Sequence, residues 1–390
     1  MRVGLLTAWA SRLNGGVFEA VVAQAAMISA AGAEPVIFAL ADPYSAVDRD
    51  RFGSADVHLG TVFGSRKVGF SPDLGRKLAA SEIDLLHLHG IWMATSHAAE
   101  RWAAETGRPY VISPHGMLDP WITARGRTKK QVARICFERR SWQRATLFHA
   151  LTGAEAADIE RETRRSPEHT VIIPNAITAP PQASAGFIGG EKDMPSGGIV
   201  YLGRIHPKKN IDALINAWCL LAQRRGSVTP CLTIAGWGDD ADVAALQTRV
   251  ARVADPRVTF VGPVFGDTKN RLIAGAQVLS LASHSEGLPM VILEAWAAGV
   301  PTAMSRHCNL PEGFETGAAL DSGTDVDSIA GALATLLDDD AQTRADRCAA
   351  ARALVNRRFS PQVVREQWMT TYDRLLQDNA LSSRADRRQA

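Results

Sequence analysis

The sequence predicts an α/β protein made of two doubly wound, Rossmann-like domains facing a central cleft. Three observations carry that prediction. Short β-branched runs alternate with longer Ala/Leu-rich segments of helical period, in two successive series. The strand candidates are continuously apolar rather than alternating, which marks parallel sheets covered on both faces. A stretch rich in Pro, Gly and Ser separates the two series. A length of 390 residues fits two domains better than one or three.

In the first series the strands are expected at Arg2–Thr7, Pro35–Leu40, Asp84–His87, Tyr110–Ser113, Thr146–His149 and Thr170–Pro174. They define a first domain over residues 1–180. The stretch Ala176–Gly198 carries Pro180-Pro181, Gly189-Gly190 and Pro195-Ser196-Gly197-Gly198, and a linker is expected over 181–197. In the second series the strands are Gly198–Gly203, Cys231–Ala235, Arg257–Gly262, Gln277–Ala282 and Thr302–Met304, giving a second domain over 198–360. A helix follows over Pro361–Gln377, with Ser360 suited to its N-cap and Pro361 to its first position. The polar tail over 379–390 is expected to fray. Ligand loops of such domains lie at the carboxyl ends of the strands.

Composition narrows the chemistry. The apolar fraction of 46% is enough for ordinary buried cores. With 43 Lys and Arg against 41 Asp and Glu, the net charge of +2 gives no reason to expect nucleic acid as a partner. The five cysteines, Cys136, Cys219, Cys231, Cys308 and Cys348, have no CxxC spacing, which argues against zinc and against a disulfide framework. The first apolar run, Arg2–Thr7, is too short for a signal peptide, and no stretch reaches the length of a membrane-spanning helix. A cytoplasmic protein is expected.

Two segments carry chemistry. In Ser283-His284-Ser285-Glu286-Gly287-Leu288-Pro289-Met290, Pro289 suits the first turn of a helix that Gly299 and Pro301 end, so the helix is expected over Pro289–Ala298. Glu286 lies in the loop ahead of it and Glu294 inside it. Gly287 lets a ligand approach the backbone, and the N–H groups of Leu288 and Met290 face an anion with the helix dipole behind them. Glu286 can accept hydrogen bonds from sugar hydroxyls and Glu294 can hold a ribose diol. The bland alternative is a surface loop and a solvated helix residue. An unpaired carboxylate between Leu293 and Ala295 would be costly, which weakens that alternative. The second segment, Gly203-Arg204-Ile205-His206-Pro207-Lys208-Lys209-Asn210, is a cationic loop after the first strand of its domain. Arg204 can grip a phosphate through two parallel N–H bonds and Lys209 adds a point charge. A solvated strand-to-helix loop is the alternative.

Together these residues resemble the group 1 (family 4) retaining glycosyltransferases. The resemblance spans nearly the whole chain. It includes Ala235-Gly236-Trp237-Gly238, similar to that family's Gly-x-Gly turn, and Ile173-Pro174-Asn175, similar to its Ile-Pro-Asn-Gly. It implies the GT-B fold, an N-terminal acceptor domain and a C-terminal domain that binds a nucleotide-diphosphate sugar donor. It implies transfer without a metal or other cofactor and with retained anomeric configuration. By motif match, Gly203, Arg204 and Lys209 belong to the diphosphate site, Glu286 with Gly287, Leu288 and Pro289 to the donor sugar, and Glu294 to the ribose. Asn14-Gly15-Gly16 matches the family's glycine loop, so Gly15 and Gly16 approach donor phosphates or acceptor. His115, in Ser113-Pro114-His115-Gly116, matches its active-site histidine. The C-terminal helix is expected to cross back to the N-terminal domain. Three departures stand out: Ala176 for the usual glycine, Thr178 for a usual acid nearby, and Leu288-Pro289 for the common Phe-Gly.

His87 and His89 alternate in Asp84-Leu85-Leu86-His87-Leu88-His89-Gly90 without a suitably spaced third ligand, so they read as structural or cleft-lining rather than metal-binding. The segment Trp121–Arg144 holds eight cations against one acid, Glu138, with Trp121 and Trp142 flanking it. It is read either as a face for an anionic membrane or a lipid-diphosphate acceptor, which would make the protein peripheral on the inner face of the cell membrane, or as a helix with one solvated face. Other enzyme classes fit less well. Asp48-x-Asp50 and Asp325-x-Asp327 lack the strand ends of metal-dependent transferases. The glutamate spacing does not suit a glycosidase, and the loop after strand one lacks G-x-G-x-x-G. The expected function is sugar transfer to a glycan or lipid-linked acceptor in polysaccharide biosynthesis. The alternative is a sugar-nucleotide-binding sensor or scaffold without catalysis.

Overall fold

The structure, a computed structural model, describes residues 1–178 and 197–389, with side chains through Ser382. The expected linker therefore lies almost wholly outside the described residues. The chain forms two compact units. One takes in Met1–Asn175 and Pro361–Ala390, the other Ala176–Ser360.

The first unit is built on seven parallel strands: β1 Arg2–Trp9, β2 Glu34–Leu40, β3 Asp56–Gly60, β4 Leu85–His89, β5 Tyr110–Ser113, β6 Leu147–Ala150 and β7 Thr170–Ile172. Their order across the sheet is β3-β2-β1-β4-β5-β6-β7. Leu5 of β1 pairs with Ile37 on one side and His87 on the other. Strands buried on both faces explain the largely apolar runs of β1 and β2 and the burial of every residue of β4, His87 and His89 included. The helix Gly16–Ala30 follows β1, and the long helix Pro361–Gln389 returns to pack on this unit. Gln24 donates to the hydroxyl of buried Tyr372 at 2.9 Å, and Trp368 stacks edge-on to His149 at 4.5 Å.

The second unit has six parallel strands: β8 Ile199–Leu202, β9 Leu232–Ala235, β10 Val258–Gly262, β11 Val278–Leu281, β12 Thr302–Met304 and β13 Ala319–Asp321, in the order β10-β9-β8-β11-β12-β13. Its core centres on the fully buried Tyr201, Trp218 and Trp296. Each indole finds a partner. Trp218 donates to the Pro230 carbonyl at 2.8 Å and Trp296 to the Thr302 hydroxyl at 3.0 Å.

Both sheets reverse direction at their first strand. The chain steps from β1 to β2 and β3 on one side, then returns beside β1 with β4. It does the same from β8 to β10 and back with β11. The carboxyl ends of β1 and β4, and of β8 and β11, are the places where such sheets carry ligand loops.

Three features differ from expectation. Strands β3 and β13 were not foreseen in the sequence; both are short edge strands, and polar Asp56 and His58 break the apolar run in β3. The C-terminal helix continues to Gln389, beyond the expected end at Gln377. No Gly or Pro interrupts Asn379–Gln389, and Ala, Leu, Arg and Gln there favour helix. Pro289 caps the helix Met290–Ala298 from outside instead of opening it.

Candidate active site

In the second unit the candidate residues converge on the β8/β11 reversal. The chain leaves β8 through Gly203 and Arg204, and buried Tyr201 donates its hydroxyl proton to the Arg204 carbonyl at 2.9 Å. The Gly236-Trp237-Gly238 turn after β9 braces this loop, with Ile205 N–H donating to the Trp237 carbonyl at 2.6 Å. A Cβ on Gly236 would stand 1.8 Å from the Gly203 carbonyl oxygen, so only glycine fits. Pro207–Lys209 forms one 3-10 turn, which Asn210 ends in the left-handed region at φ 59°. The Asn210 amide donates to the carbonyls of Ala282, at 3.1 Å, and Thr324, at 2.7 Å. His284 N–H donates to the Lys208 carbonyl at 2.8 Å. The loops after β8 and β11 are thus knitted together by backbone groups.

That knitting places Lys209 Nζ 2.5 Å from Oε1 of Glu286, and the Ser283 hydroxyl donates to the same oxygen at 2.6 Å. The backbone of Glu286 is fixed as well. Its N–H donates to His307 at 3.0 Å, and its carbonyl accepts from the Asn309 amide at 2.6 Å. The Lys209 and Glu286 side chains keep only 15% and 7% of their exposure. A buried pair of this kind holds position only where its geometry is good and its remaining groups are satisfied. Arg204 is different. It is exposed and pairs with exposed Asp239 at 3.3 Å, a contact that an incoming anion displaces at small cost.

Behind the loop, Pro289 gives the helix Met290–Ala298 no side-chain cap of its own. A Cβ on Gly287 would meet nothing within 4 Å, so no protein contact demands glycine there. Gly299 ends the helix at φ 75°. Glu294 is not a lone carboxylate in an apolar helix: Lys269 Nζ lies 2.7 Å from its Oε1, and both side chains are half-buried. Sequence reasoning missed Lys269, Asp239 and Asn309, whose partners lie on other elements, and assigned no role to Ser283, whose partner Glu286 is in its own loop.

In the first unit, Gly15 takes φ 54° at the start of the helix Gly16–Ala30, and Asn14 anchors the loop by donating to the Thr7 hydroxyl at 2.8 Å and the Trp9 carbonyl at 3.0 Å. His115 follows β5 at φ 54°, a strained conformation for a non-glycine residue. The turn is held by buried Glu155, which accepts from Gly116 N–H at 2.6 Å and Leu151 N–H at 2.9 Å. His115 Nε2 lies 3.0 Å from Nδ1 of His89. Burial lowers the pKa of His115 to about 3 and that of His149 to about 4, and lowers His87 and His89 well below the ordinary range. His87 is wholly buried and His89 almost so. Among the described residues no three His, Cys, Asp or Glu groups are placed to hold a metal ion. Ala176 avoids positive φ, which accounts for its standing where glycine is usual.

The basic segment needs two corrections. Glu138 does not face solvent among the cations. It is fully buried, accepts from Trp92 N–H at 2.5 Å and the Ser96 hydroxyl at 2.9 Å, and burial raises its pKa to about 7. Trp142 is buried too, so it does not flank an exposed face. Its exposed apolar residues are Trp121, Val132 and Ile135, and its exposed cations are Arg125, Arg127, Lys129, Arg139, Arg140 and Arg144. No helix among the described residues is long and apolar enough to cross a membrane.

Comparison with known proteins places this geometry in a family. A model described as "Glycosyl transferase 4-like domain" matches residues 15–176, and one described as "Glycosyl transferases group 1" matches residues 196–339. The chain is 27% identical to a D-inositol 3-phosphate glycosyltransferase of Salinispora tropica, over 67% of this chain and 58% of that protein. It is 27% identical to a phosphatidyl-myo-inositol mannosyltransferase of Mycolicibacterium smegmatis, over 96% of this chain and 94% of that one. Anabaena HepE, solved in complex with UDP, superposes with a TM-score of 0.73 at 21% identity, over 96% of this chain and 100% of that one. The two doubly wound sheets are those of the GT-B fold, and with both halves matched the chain belongs to the group 1, family 4 glycosyltransferases.

Proposed function

We propose that the protein transfers a sugar from a nucleotide-diphosphate donor to a glycan or lipid-linked acceptor in polysaccharide biosynthesis, with retention and without a metal. The observation that carries the reading is the Lys209–Glu286 pair at 2.5 Å, braced at the strand reversal of the second unit. Departure of a nucleoside diphosphate leaves extra negative charge on the phosphates. Arg204, Lys209 and the amides at the start of the helix Met290–Ala298 supply fixed positive ends for it. Donors held in place in this way are worth about 100-fold or more in rate each. The carboxylate of Glu286 accepts from sugar hydroxyls, and Glu294 from the ribose. By motif match His115 is assigned to the donor sugar, and Gly15 and Gly16 to donor phosphate or acceptor.

The acceptor is read as lipid-linked, with the exposed Trp121, Ile135 and Arg139-Arg140 face docking on anionic lipid at the inner face of the cell membrane. Burial of Glu138 supports this, because it takes the one acid of Trp121–Arg144 away from the exposed cations. Flotation with anionic and neutral vesicles tests the docking: recovery with anionic vesicles alone, lost in Arg139→Glu/Arg140→Glu, supports it. Equal recovery with both rejects it. The transfer itself is tested by release of nucleoside diphosphate from UDP-, GDP-, ADP- and dTDP-sugars. Arg204→Ala and Lys209→Ala are expected to lower kcat beyond any change in KM. A change in KM alone removes the transition-state role.

A further inference from the structure

The His89 side chain is 3% exposed, and its ring stacks on His87 at 4.1 Å and near-parallel to His115 at 5.2 Å. The neighbouring chain of hydrogen bonds has only one proton arrangement with every imidazole neutral. The Ile173 carbonyl can only accept, so His149 donates to it from Nε2, at 2.7 Å. His149 Nδ1 then accepts from the Ser113 hydroxyl at 2.6 Å, and Ser113 Oγ accepts from His87 Nε2 at 2.6 Å. His87 Nδ1 accepts from Tyr372 at 2.8 Å, and Tyr372 accepts from Gln24 at 2.9 Å. This chain uses every polar atom of His87, so none is left for His89.

His89 therefore has one partner, His115, across the 3.0 Å contact of Nδ1 with Nε2. Its own Nε2 is buried with no partner among the described residues. Two tautomers satisfy the contact. If His115 donated from Nε2, the proton of His89 would lie on its Nε2, a buried N–H without an acceptor. If His89 donates from Nδ1, only a lone pair is left bare. Orphaned buried donors are the rarer case. The second arrangement holds, and the single proton of neutral His115 then lies on Nδ1, which makes no hydrogen bond among the described residues.

We propose that His89 is a positioning residue that fixes His115 as a neutral, Nδ1-protonated imidazole, presenting a hydrogen-bond donor to an oxygen of the sugar substrate. This rests on the placement of His115 at the donor sugar. It gives the His-x-His pair a task other than metal binding or core filling.

The test has a spectroscopic arm and a kinetic arm. In protein labelled with 15N-histidine, the ring nitrogens of His115, assigned by their loss in His115→Asn, report the tautomer at pH 7. Protonation at Nδ1 in the wild type, shifting toward Nε2 in His89→Leu, is expected. Protonation at Nε2 in the wild type overturns the inference. Hydrolysis of whichever of UDP-glucose, GDP-mannose, ADP-glucose and dTDP-glucose the wild type turns over fastest gives the kinetic arm. His89→Leu is expected to lower kcat about 10- to 100-fold, as loss of an orienting partner does for other imidazoles, with KM little changed. His89→Asn, whose amide can donate from the same place, should recover most of the loss. Full activity in His89→Leu beside a crippled His115→Ala overturns the positioning role. Full activity in His115→Ala itself removes the active-site reading instead, and the tautomer measurement still decides what His89 does.

Discussion

Lys209 and Glu286 are 77 residues apart in sequence and 2.5 Å apart in space, joined through loops that the two central strands of their sheet release side by side. The carboxylate also accepts from Ser283, so one oxygen of Glu286 takes two bonds. Removing Lys209 leaves a nearly buried carboxylate without its cation, which costs about 3–5 kcal/mol when a buried pair is broken from one side. Lys209→Ala is therefore expected to lose stability as well as rate. Glu286→Gln should keep most of the stability, because the amide oxygen still accepts from Lys209 and Ser283. Differential scanning calorimetry of the two variants checks this. Equal Tm for Lys209→Ala and wild type would show that the pair is not buried as described.

Arg204 and Asp239 make a contrasting pair. Both are exposed, at 53% and 73%, so their contact contributes little to folding. Asp239→Asn is expected to leave Tm within a degree or two while tightening nucleoside diphosphate binding severalfold, since Arg204 no longer has a competing carboxylate. Isothermal titration with UDP and GDP reads the effect. Weaker binding in Asp239→Asn would mean that Asp239 positions Arg204 rather than competing for it.

The Gly236 turn tests the scaffold under the site. A methyl group there would overlap the Gly203 carbonyl at 1.8 Å and the side chain of Ile205 at 3.1 Å, and the first of these is backbone that cannot swing away. Gly236→Ala is expected to destabilise the second unit by about 3 kcal/mol or more, in the range seen for strained backbone and overpacked sites. Gly287→Ala, which meets no atom within 4 Å, should leave Tm unchanged and act only on donor binding. Thermal unfolding of the two variants side by side separates structure from function.

The buried histidines set a pH dependence. Their folded pKa values lie below the unfolded value of about 6.5, so below that pH the unfolded chain binds protons that the folded chain refuses. Their contribution to stability is complete above pH 6.5 and is lost as the pH falls toward about 4, the value for His149. Glu138, raised to about 7, works in the opposite sense, since its stabilising effect diminishes as pH rises from the ordinary carboxylate range. The difference between wild type and His149→Gln isolates one group. Between pH 6.5 and 4 the wild type should lose stability faster than the variant by up to about 1.4 kcal/mol per pH unit. Parallel denaturation curves across that range would mean that His149 titrates normally in the folded protein.

Much of the second unit's site was legible in the sequence because its signals are local. Gly-Arg after an apolar run, Pro289 ahead of an apolar helix and Gly299 behind it all act within a few residues of themselves. Their elements were placed to within one or two residues. The partners were not legible. Asp239, Lys269 and Asn309 are ordinary polar residues whose meaning comes from contacts with elements distant in sequence. Glu138 shows the limit of reading charge along a chain: one acid among eight cations looked like part of a solvated face, and folding turned it inward onto Trp92 and Ser96. The edge strands β7 and β10 were legible, whereas β3 escaped because Asp56 and His58 break its apolar run, and β13 because three residues are too few to show a period. The role of His89 needed Nε2 to be buried and Nδ1 to face His115, neither of which spacing can convey.

The most direct measurement is a crystal structure with an intact nucleotide sugar. Its diphosphate should lie within hydrogen-bonding distance of Arg204, Lys209 and the amides at Gly287–Met290, with Arg204 released from Asp239. Phosphates bound elsewhere, with the Lys209–Glu286 pair and the Arg204–Asp239 pair both untouched, would contradict the account.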